Sequence, residues 1–362
     1  MSFNIFPSKA TEQMKSILAL DIGFGNTKAV WNNLKTSQKP DSWSEICFRS
    51  VCPRVVVDEG SAGNGIGNLD RVVVNVGHDS FYVGPKATFE GGVRALHPDY
   101  INTPEHEALL IGAWHYMFKE TNTISQSVDL LVLGLPVSGF QANKKRLQEL
   151  GSKVRRVPVP LHMREKYGKD FVDVVAKSVI VLPQPMGGLQ LASESASEFD
   201  LFNDGVVSMV IDPGYSTFDW FVADAMAPQL ELCGSFNGGV SQILQAVSSK
   251  LGFDHGIGSQ NFGTVEKALI DGVLNLGHRR ISMEPYRVVA NNAASGIVDE
   301  FLQRFDPSKP GVSRIYLCGG GATFYLHALK QRLPNYRIQL MPEGVMSNCR
   351  GFWLFGKDAL AE

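Results

Sequence analysis

The sequence predicts an α/β protein built from two duplicated domains, and three observations lead to this prediction. Short apolar runs that end in turn residues alternate with amphipathic segments of helical period. One turn pattern occurs twice, once around Asp21 and again around Asp212. The length of 362 residues suits two or three ordinary domains. We therefore expect two units of one architecture, residues 16–186 and 187–362, after a flexible leader of residues 1–15.

The first unit reads as alternating strands and helices with one peripheral insert at about residues 52–100, which contains the glycine-rich stretch 59–68. Its predicted strands are Ile17–Asp21, Lys28–Trp31, Val55–Val57, Val72–Val76, Leu130–Leu135 and Val172–Leu182. Its predicted helices are Glu105–Lys119 and Gln141–Leu150. Pro136 and Pro183 follow the last two strands, where a residue without an N–H can end a ladder.

The second unit repeats this alternation, with its own peripheral insert at about residues 250–294. Its predicted strands are Val206–Asp212, Thr217–Val222, Arg314–Cys318 and Arg337–Met341. Its predicted helices are Val240–Leu251, Thr264–Arg280, Tyr286–Asn292, Ser295–Phe305 and Phe324–Leu333. Strands that alternate with helices are typical of sheets covered by helices.

Composition and charge exclude several classes of protein. A hydrophobic content of 44% excludes a disordered chain, and a net charge of −2 provides no strong basic field for DNA or an anionic membrane. The five cysteines are odd in number and form no CxxC pair, so neither a disulfide framework nor a zinc knuckle is expected. No apolar run reaches the length of a membrane span. We expect a cytoplasmic protein that binds neither nucleic acid directly nor membrane.

The repeated turn is the most informative feature of the sequence. Leu20–Lys28 aligns without gaps on Ile211–Asp219, and both copies read apolar, Asp, any residue, Gly, aromatic, each between two predicted strands. One Asp-x-Gly turn is ordinary hairpin chemistry. Two copies in matched contexts, one in each half of the chain, favour a shared function over a purely structural one.

Phosphate binding gives a physical reason for the two turns. Tight turns of small residues let successive backbone N–H groups point at one anion, and two such turns can hold a phosphate tail from both sides. Asp21 and Asp212 would lie beside the phosphates, which requires Mg²⁺ between them, and Lys28 can neutralise phosphate charge. The predicted phosphate contacts are Gly23, Gly25, Asn26, Thr27, Gly214, Tyr215, Ser216 and Thr217.

A third glycine cluster, Gly319, Gly320, Gly321 and Ala322, follows a predicted strand and precedes a helix. Phe324 occupies the last glycine position of GxGxxG, so a dinucleotide-binding fold is disfavoured, and no GxxxxGK[ST] occurs in the chain. Two interpretations remain open. The backbone can approach a base or ribose, or the cluster can be the turn before a helix without any ligand.

These clusters, in this order, resemble the actin/Hsp70/sugar-kinase ATPase superfamily, and within it the bacterial plasmid-segregation proteins of the ParM/StbA type. The more specific likeness rests on Val132–Val137, Val181–Pro185, Gly238–Ser241 and Arg350–Phe352. The resemblance implies two actin-like (ribonuclease H-like) domains with a nucleotide cleft between them.

The resemblance also assigns roles to segments of this chain. Asp21–Lys28 is similar to the first phosphate loop, Asp212–Asp219 to the second and Ile315–Ala322 to the adenosine motif, and Gly238 and Gly239 join the predicted nucleotide contacts. A first connecting helix is implied near Gln184, and Ser295–Phe305 is similar to the second. The implied cofactors are ATP (or GTP) and Mg²⁺, with Asp21 and Asp212 on the metal side.

Two residues are candidates for catalysis. Phosphoryl transfer to water needs an in-line water, and the neutral amide of Gln184 can orient one by donating and accepting hydrogen bonds. The alternative for Gln184 is a routine cap or loop residue. Asp219 either helps to orient the water or points outward from its strand.

The leading functional hypothesis is an ATPase that polymerises into filaments, hydrolyses ATP and moves plasmid DNA through a DNA-bound adaptor. A small-molecule kinase of the same fold is an alternative, but no further aspartate in an obvious acceptor motif supports it. An ATP-binding scaffold that does not polymerise is the other alternative.

Overall fold

Two mixed sheets form the centre of the two domains in the computed structural model, which describes residues 15–32, 42–55, 70–87, 99–195 and 200–361. The first sheet has the strand order β3-β2-β1-β6-β8-β7. Its strands are β1 (Ile17–Ile22), β2 (Asn26–Asn32), β3 (Trp43–Arg49), β6 (Ser127–Leu135), β7 (Arg155–Pro158) and β8 (Phe171–Pro183). A separate hairpin consists of β4 (Val72–Val76) and β5 (Asp79–Val83). The helices of this part are α1 (Pro104–Thr121), α2 (Phe140–Gly151), α3 (Leu161–Tyr167) and α4 (Gln184–Ser193).

The second sheet has the strand order β11-β10-β9-β15-β16, and β12 forms an additional antiparallel pair with β10. Its strands are β9 (Val207–Pro213), β10 (Phe218–Asp224), β11 (Ala227–Pro228), β12 (Gly234–Phe236), β15 (Arg314–Leu317) and β16 (Arg337–Leu340). A second separate hairpin consists of β13 (Val273–Leu276) and β14 (Arg279–Ser282). The helices are α5 (Val240–His255), α6 (Phe262–Asp271), α7 (Glu284–Arg304), α8 (Ala322–Arg332) and α9 (Gly344–Ala361).

The two sheets share one topology, which confirms the predicted duplication of an α/β unit. Each sheet begins with a hairpin. In the first sheet β1 is antiparallel to β2, and in the second β9 is antiparallel to β10. The first strand of each hairpin then pairs in parallel with a strand that arrives much later, β6 or β15. The first strands of the two hairpins, β1 and β9, are buried along almost their whole length, as expected for strands with helices on both faces.

Some predicted elements differ from the structure for identifiable reasons. The helix predicted for Thr264–Arg280 ends at Asp271, because Gly272 takes a left-handed conformation (φ +75°) and the chain continues into the β13–β14 hairpin. The two helices predicted between Tyr286 and Phe305 are one helix, α7. The strand predicted at Val55–Val57 lies mostly outside the described residues.

The C-terminal helix α9 follows the second sheet in sequence but packs on the first. Its Cys349, Phe352 and Trp353 share a core with Ala19 and Val132 of the first sheet, and it crosses the connecting helix α4. The resemblance implied that Ser295–Phe305 is the second connecting helix, and this prediction is wrong. That segment ends α7, and its Ile297, Val298 and Phe301 lie in the core of the second domain.

The crossing of α4 and α9 brings two helix backbones into direct contact. A Cβ atom on Gly351 would lie 1.7 Å from the carbonyl oxygen of Gly187, and one on Gly187 would lie 2.1 Å from that of Asn348. Only glycine fits at these two positions. Within the described ranges, no helix combines the length and apolarity needed to cross a bilayer.

Candidate functional site

The two repeated hairpins have the same register but opposite charge at one position. Asp21 and Lys28 are cross-strand partners in the first hairpin, and the lysine Nζ lies 2.7 Å from Asp21 Oδ2. In the second hairpin the corresponding partners are Asp212 and Asp219. Each turn closes through the N–H of its glycine, which donates to Asn26 O at 3.1 Å or to Thr217 O at 2.8 Å. The repeat therefore has a common backbone, with an ion pair in one copy and two carboxyl groups in the other.

Side chains from both domains meet at the ends of these hairpins. Gln184, the first residue of α4, donates from Nε2 to Asp21 Oδ1 at 2.6 Å. Burial alone would lower the pKa of Lys28, but the charges of Asp21 and of Asp212 in the second hairpin hold that pKa above its usual range. The structure therefore brings together Asp21, Lys28 and Gln184 with Asp212, as the sequence predicts.

This site holds more buried acid than the neighbouring base can neutralise. Asp21, Asp212 and Asp219 are 1%, 6% and 3% exposed, and Lys28 is the cation that touches one of them. Burial raises the pKa of Asp212 to about 6 and that of Asp219 to about 7. Hydrogen bonds from Ser235, Thr217 and the backbone N–H of Val137 lower the pKa of Asp219, but burial outweighs them. A site with this charge balance can accept a further cation.

The donor set fits magnesium that keeps most of its waters. Among the described residues, no cluster of three or more His, Cys, Asp or Glu forms a closed metal cage. Mg²⁺ commonly uses only one or two carboxylates together with waters and phosphate oxygens. Asp21 and Asp212 would supply hard oxygen ligands of that kind from the two domains.

Asn348 of α9 is a site residue that sequence reasoning missed. Its Nδ2 donates to Asp212 Oδ2 at 2.6 Å, and both residues are buried. The contact exists only because α9 returns to the junction of the two sheets after the second domain is complete. No local pattern around residue 348 signals such a contact, because it depends entirely on tertiary packing.

The third glycine cluster packs on the second hairpin. Gly319 has φ +83°, and a Cβ there would lie 2.1 Å from Asp212 Oδ1. The N–H of Gly321 donates to Pro213 O at 3.0 Å, and Ala322 is the buried first residue of α8. Gly319 and Gly321 therefore shape the turn before a helix, whereas the exposed Gly320 leaves backbone open beside it.

We expect Gly319→Ala to destabilise the protein by about 2–3 kcal/mol. The change adds the cost of a left-handed alanine to a clash with a buried carboxylate. Gly320→Ala is the matched control, because a Cβ there meets only Val345 Cγ2, at 3.9 Å. Chemical denaturation of the ligand-free variants measures both effects. Equal stabilities for the two variants would contradict the close approach to Asp212.

The remaining predicted residues divide into two groups. Thr217 faces the site, since its hydroxyl donates to Asp219 Oδ2 at 2.7 Å. Gly239 braces the second turn, because its N–H donates to Ser216 O at 3.0 Å and a Cβ there would lie 2.4 Å from Tyr215 O. Thr27 lies on the opposite face of β2 from Lys28, fully buried, and its hydroxyl pairs with Ser50 at 2.9 Å. Asp219 does not point outward, because it is buried.

The other predicted contacts lie close to these groups. Gly23, Gly25 and Asn26 form the partly exposed first turn, and Gly214, Tyr215 and Ser216 form the second. The carbonyl of Gly238 accepts the hydroxyl of Tyr325 at 2.7 Å and lies deep in the second domain.

A second contact joins the domains beside the turn of the first hairpin, where Asn26 is the cross-strand partner of Arg49. Arg49 ends β3, and its Nη2 lies 3.8 Å from Glu266 Oε2 of α6. Its guanidinium also covers Gly263, where a Cβ would come within 2.5 Å of Nη1. The pair Arg49–Glu266 therefore adds a contact between the domains beside the first turn.

Comparisons with known proteins agree with this architecture. Residues 19–187 match a family model of actin-like proteins, N-terminal domain, and residues 210–331 match one of the archaeal actin homologue MreB-like, C-terminal. A search of curated proteins found no match. Both copies of the repeated turn, Leu20–Lys28 and Ile211–Asp219, lie within a match.

Solved structures with the same fold cover nearly the whole chain. The archaeal actin homologue Ta0583 superposes with a TM-score of 0.72 at 20% identity, over 95% of this chain and 99% of that one. Its complex with ADP gives 0.69 at 18% identity over the same shares. A ParM filament from Clostridium botulinum gives 0.71 at 17% identity, also over 95% and 99%. With both halves matched by actin-homologue models, the chain belongs to the actin-like superfamily.

Proposed function

We propose that this protein binds Mg-ATP between its two domains, polymerises in that state and hydrolyses the nucleotide. The observation that carries the proposal is the meeting of Asp21, Lys28 and Gln184 from one side with Asp212 and Asp219 from the other. Two duplicated hairpins that end at one acidic point suit a phosphate tail with a divalent cation.

Each group has a distinct role in this proposal. Lys28 neutralises phosphate charge, and the turns around Gly23 and Gly214 offer backbone N–H groups. Asp21 and Asp212 would hold Mg²⁺, which supplies charge stabilisation to the phosphates when it is bound. Gln184 orients the attacking water. Asp219, which accepts a hydrogen bond from Thr217, is the second candidate for orienting that water.

Filament formation and plasmid segregation are the finer parts of the proposal. Among the structural neighbours, one is a ParM filament and another is a non-polymerisable quadruple mutant of a ParM, which supports self-association of this chain. We propose that assembled subunits move plasmid DNA through a DNA-bound adaptor in the cytoplasm. Nucleotide gripped by both hairpins would hold the domains together, so that hydrolysis loosens the subunits.

Addition of Mg-ATP should make a solution of the protein scatter light, and the scattering should decay as phosphate is released. A non-hydrolysable analogue should give assemblies that sediment and do not decay, since the loosening step is blocked. Parallel light scattering, phosphate-release and sedimentation measurements test this. Nucleotide binding without assembly or turnover would favour the scaffold, and phosphate transfer only with an added hydroxyl acceptor would favour the kinase.

A further inference from the structure

Asn348 connects elements that belong to different domains. The helix that carries it, α9, packs on the first sheet, yet its side chain reaches the carboxyl group of Asp212 in the second hairpin. Asn348 is 4% exposed and Asp212 6%, so water does not compete for this 2.6 Å hydrogen bond. A bond from a neutral donor to a buried charged acceptor is among the stronger hydrogen bonds in proteins.

The contact holds Asp212 in one orientation. Asn348 Nδ2 binds Oδ2, while Oδ1 lies against the backbone of Gly319, where a Cβ would come within 2.1 Å. The amide itself is oriented by Cys318, whose Sγ–H donates to Asn348 Oδ1 at 3.5 Å. Since the oxygen of the amide faces the thiol, its nitrogen faces the carboxyl group.

The same residue lies at the crossing of the two inter-domain helices. The backbone of Asn348 abuts Gly187 of α4, where a Cβ would lie 2.1 Å from Asn348 O. A rotation of the second sheet relative to the first must therefore change either this helix contact or the bond to Asp212. Close-packed interiors do not absorb such shifts continuously.

We propose that Asn348 is a positioning residue that fixes the carboxyl group of Asp212 for the metal side of the nucleotide and ties its orientation to the angle between the domains. This inference rests on the proposed function, because Asp212 is there a magnesium ligand. Asn348 touches neither phosphate nor water in this scheme. Its effect passes through Asp212.

The test compares Asn348→Ala with Ser347→Ala. Ser347 is the neighbouring residue on α9, fully buried, and its hydroxyl has no partner among the described residues, so it is a matched control. Calorimetric titration with the non-hydrolysable analogue AMPPNP is run with Mg²⁺ and with EDTA. We expect Asn348→Ala to weaken binding about tenfold with Mg²⁺ and at most about twofold in EDTA. Ser347→Ala should change neither value more than about twofold.

Two outcomes would overturn the proposal. If the affinity for AMPPNP falls equally with Mg²⁺ and with EDTA, Asn348 is a structural residue only. If the affinity does not fall at all, Asn348 has no role in nucleotide binding. If Asn348→Ala does not fold, Cys318→Ala takes its place. That variant removes the group that orients the amide and should weaken only the Mg²⁺-dependent binding, by about threefold.

A measurement on the ligand-free protein separates this inference from the proposed function. A double-mutant cycle of Asn348→Ala and Asp212→Ala in chemical denaturation should show coupling of at least about fivefold in the unfolding equilibrium constant. If the wild-type protein binds no nucleotide, the proposed function fails while the cycle still shows whether Asn348 holds Asp212. Additive effects in the cycle would contradict the contact itself.

Discussion

Replacement of Gly351 by alanine should destabilise the protein by roughly 3 kcal/mol or more. The new Cβ would lie 1.7 Å from the carbonyl oxygen of Gly187, and both groups belong to helix backbones that no change of rotamer can move. The helices α4 and α9 must then separate, which costs packing around the crossing. Denaturant unfolding followed by circular dichroism measures the loss.

Gly296→Ala is the matched control for this effect. Gly296 also lies within a long helix, α7, but a Cβ there meets nothing within 4 Å. Alanine should therefore stabilise that helix by about 0.5–1 kcal/mol through the usual difference in helix propensity. A Gly351→Ala protein as stable as Gly296→Ala would contradict the direct contact between the two backbones.

The crossing of α4 and α9 also gives a reason to expect that Gly351→Ala weakens nucleotide binding. Gly351 lies one turn of helix from Asn348, which holds Asp212. If α9 moves away from α4, the donor moves with it. We therefore expect a Gly351→Ala protein that still folds to lose affinity for Mg²⁺-nucleotide more than for nucleotide in EDTA.

The features that could be predicted from the sequence are those that short, local residue patterns encode. The hairpin around Asp21 and its copy around Asp212 carry a turn signature and apolar strands, so the repeat and the strands that flank each turn followed from residue order, whereas the ion pair of Lys28 with Asp21 did not. The same holds for β15, the glycine cluster and α8, which form a strand, a turn and a helix in sequence.

What escaped prediction depends on distant packing. Asn348 approaches Asp212 only because α9 returns to the first sheet, and the residues that allow this are Gly187 and Gly351, which read as ordinary glycines. The role of Gly319 was open for the same reason. Its lack of a side chain makes room for a carboxyl group of its own chain, which no spacing in the sequence can indicate.

The charge difference between the hairpins gives the site an asymmetry with a functional consequence. The first hairpin balances its carboxylate with Lys28, whereas the second has two carboxyl groups whose pKa values are raised by burial. A cation bound here would therefore offset more negative charge in the second hairpin, which has no lysine of its own, than in the first. We therefore expect the metal side of the proposed nucleotide site to lie nearer Asp212, and the phosphate side nearer Lys28.

Replacement of Gln184 by alanine should lower kcat by about 10²-fold while nucleotide affinity changes only a few-fold. Its side chain passes over Gly134, where a Cβ would lie 3.1 Å from Gln184 Cγ, and ends at Asp21. Since Asp21 can only accept while it is ionised, the amide nitrogen faces it, and the amide oxygen is the group that can accept from a water. Asp21 keeps Lys28 after the change, so the ground-state grip on the phosphates survives.

Gln190→Ala supplies the matched control, because Gln190 lies on the same helix and also donates its amide to a carboxylate, Asp358, at 2.9 Å, but on the exposed surface. Phosphate release and light scattering are measured for both variants and the wild type. Gln184→Ala should form assemblies with ATP that persist, since the step that loosens them is slowed, whereas Gln190→Ala should behave as the wild type does. If Gln184→Ala loses nucleotide affinity while its kcat holds, the amide serves only to hold Asp21. We would then expect Asp219, the other candidate and a buried acid, to orient the water.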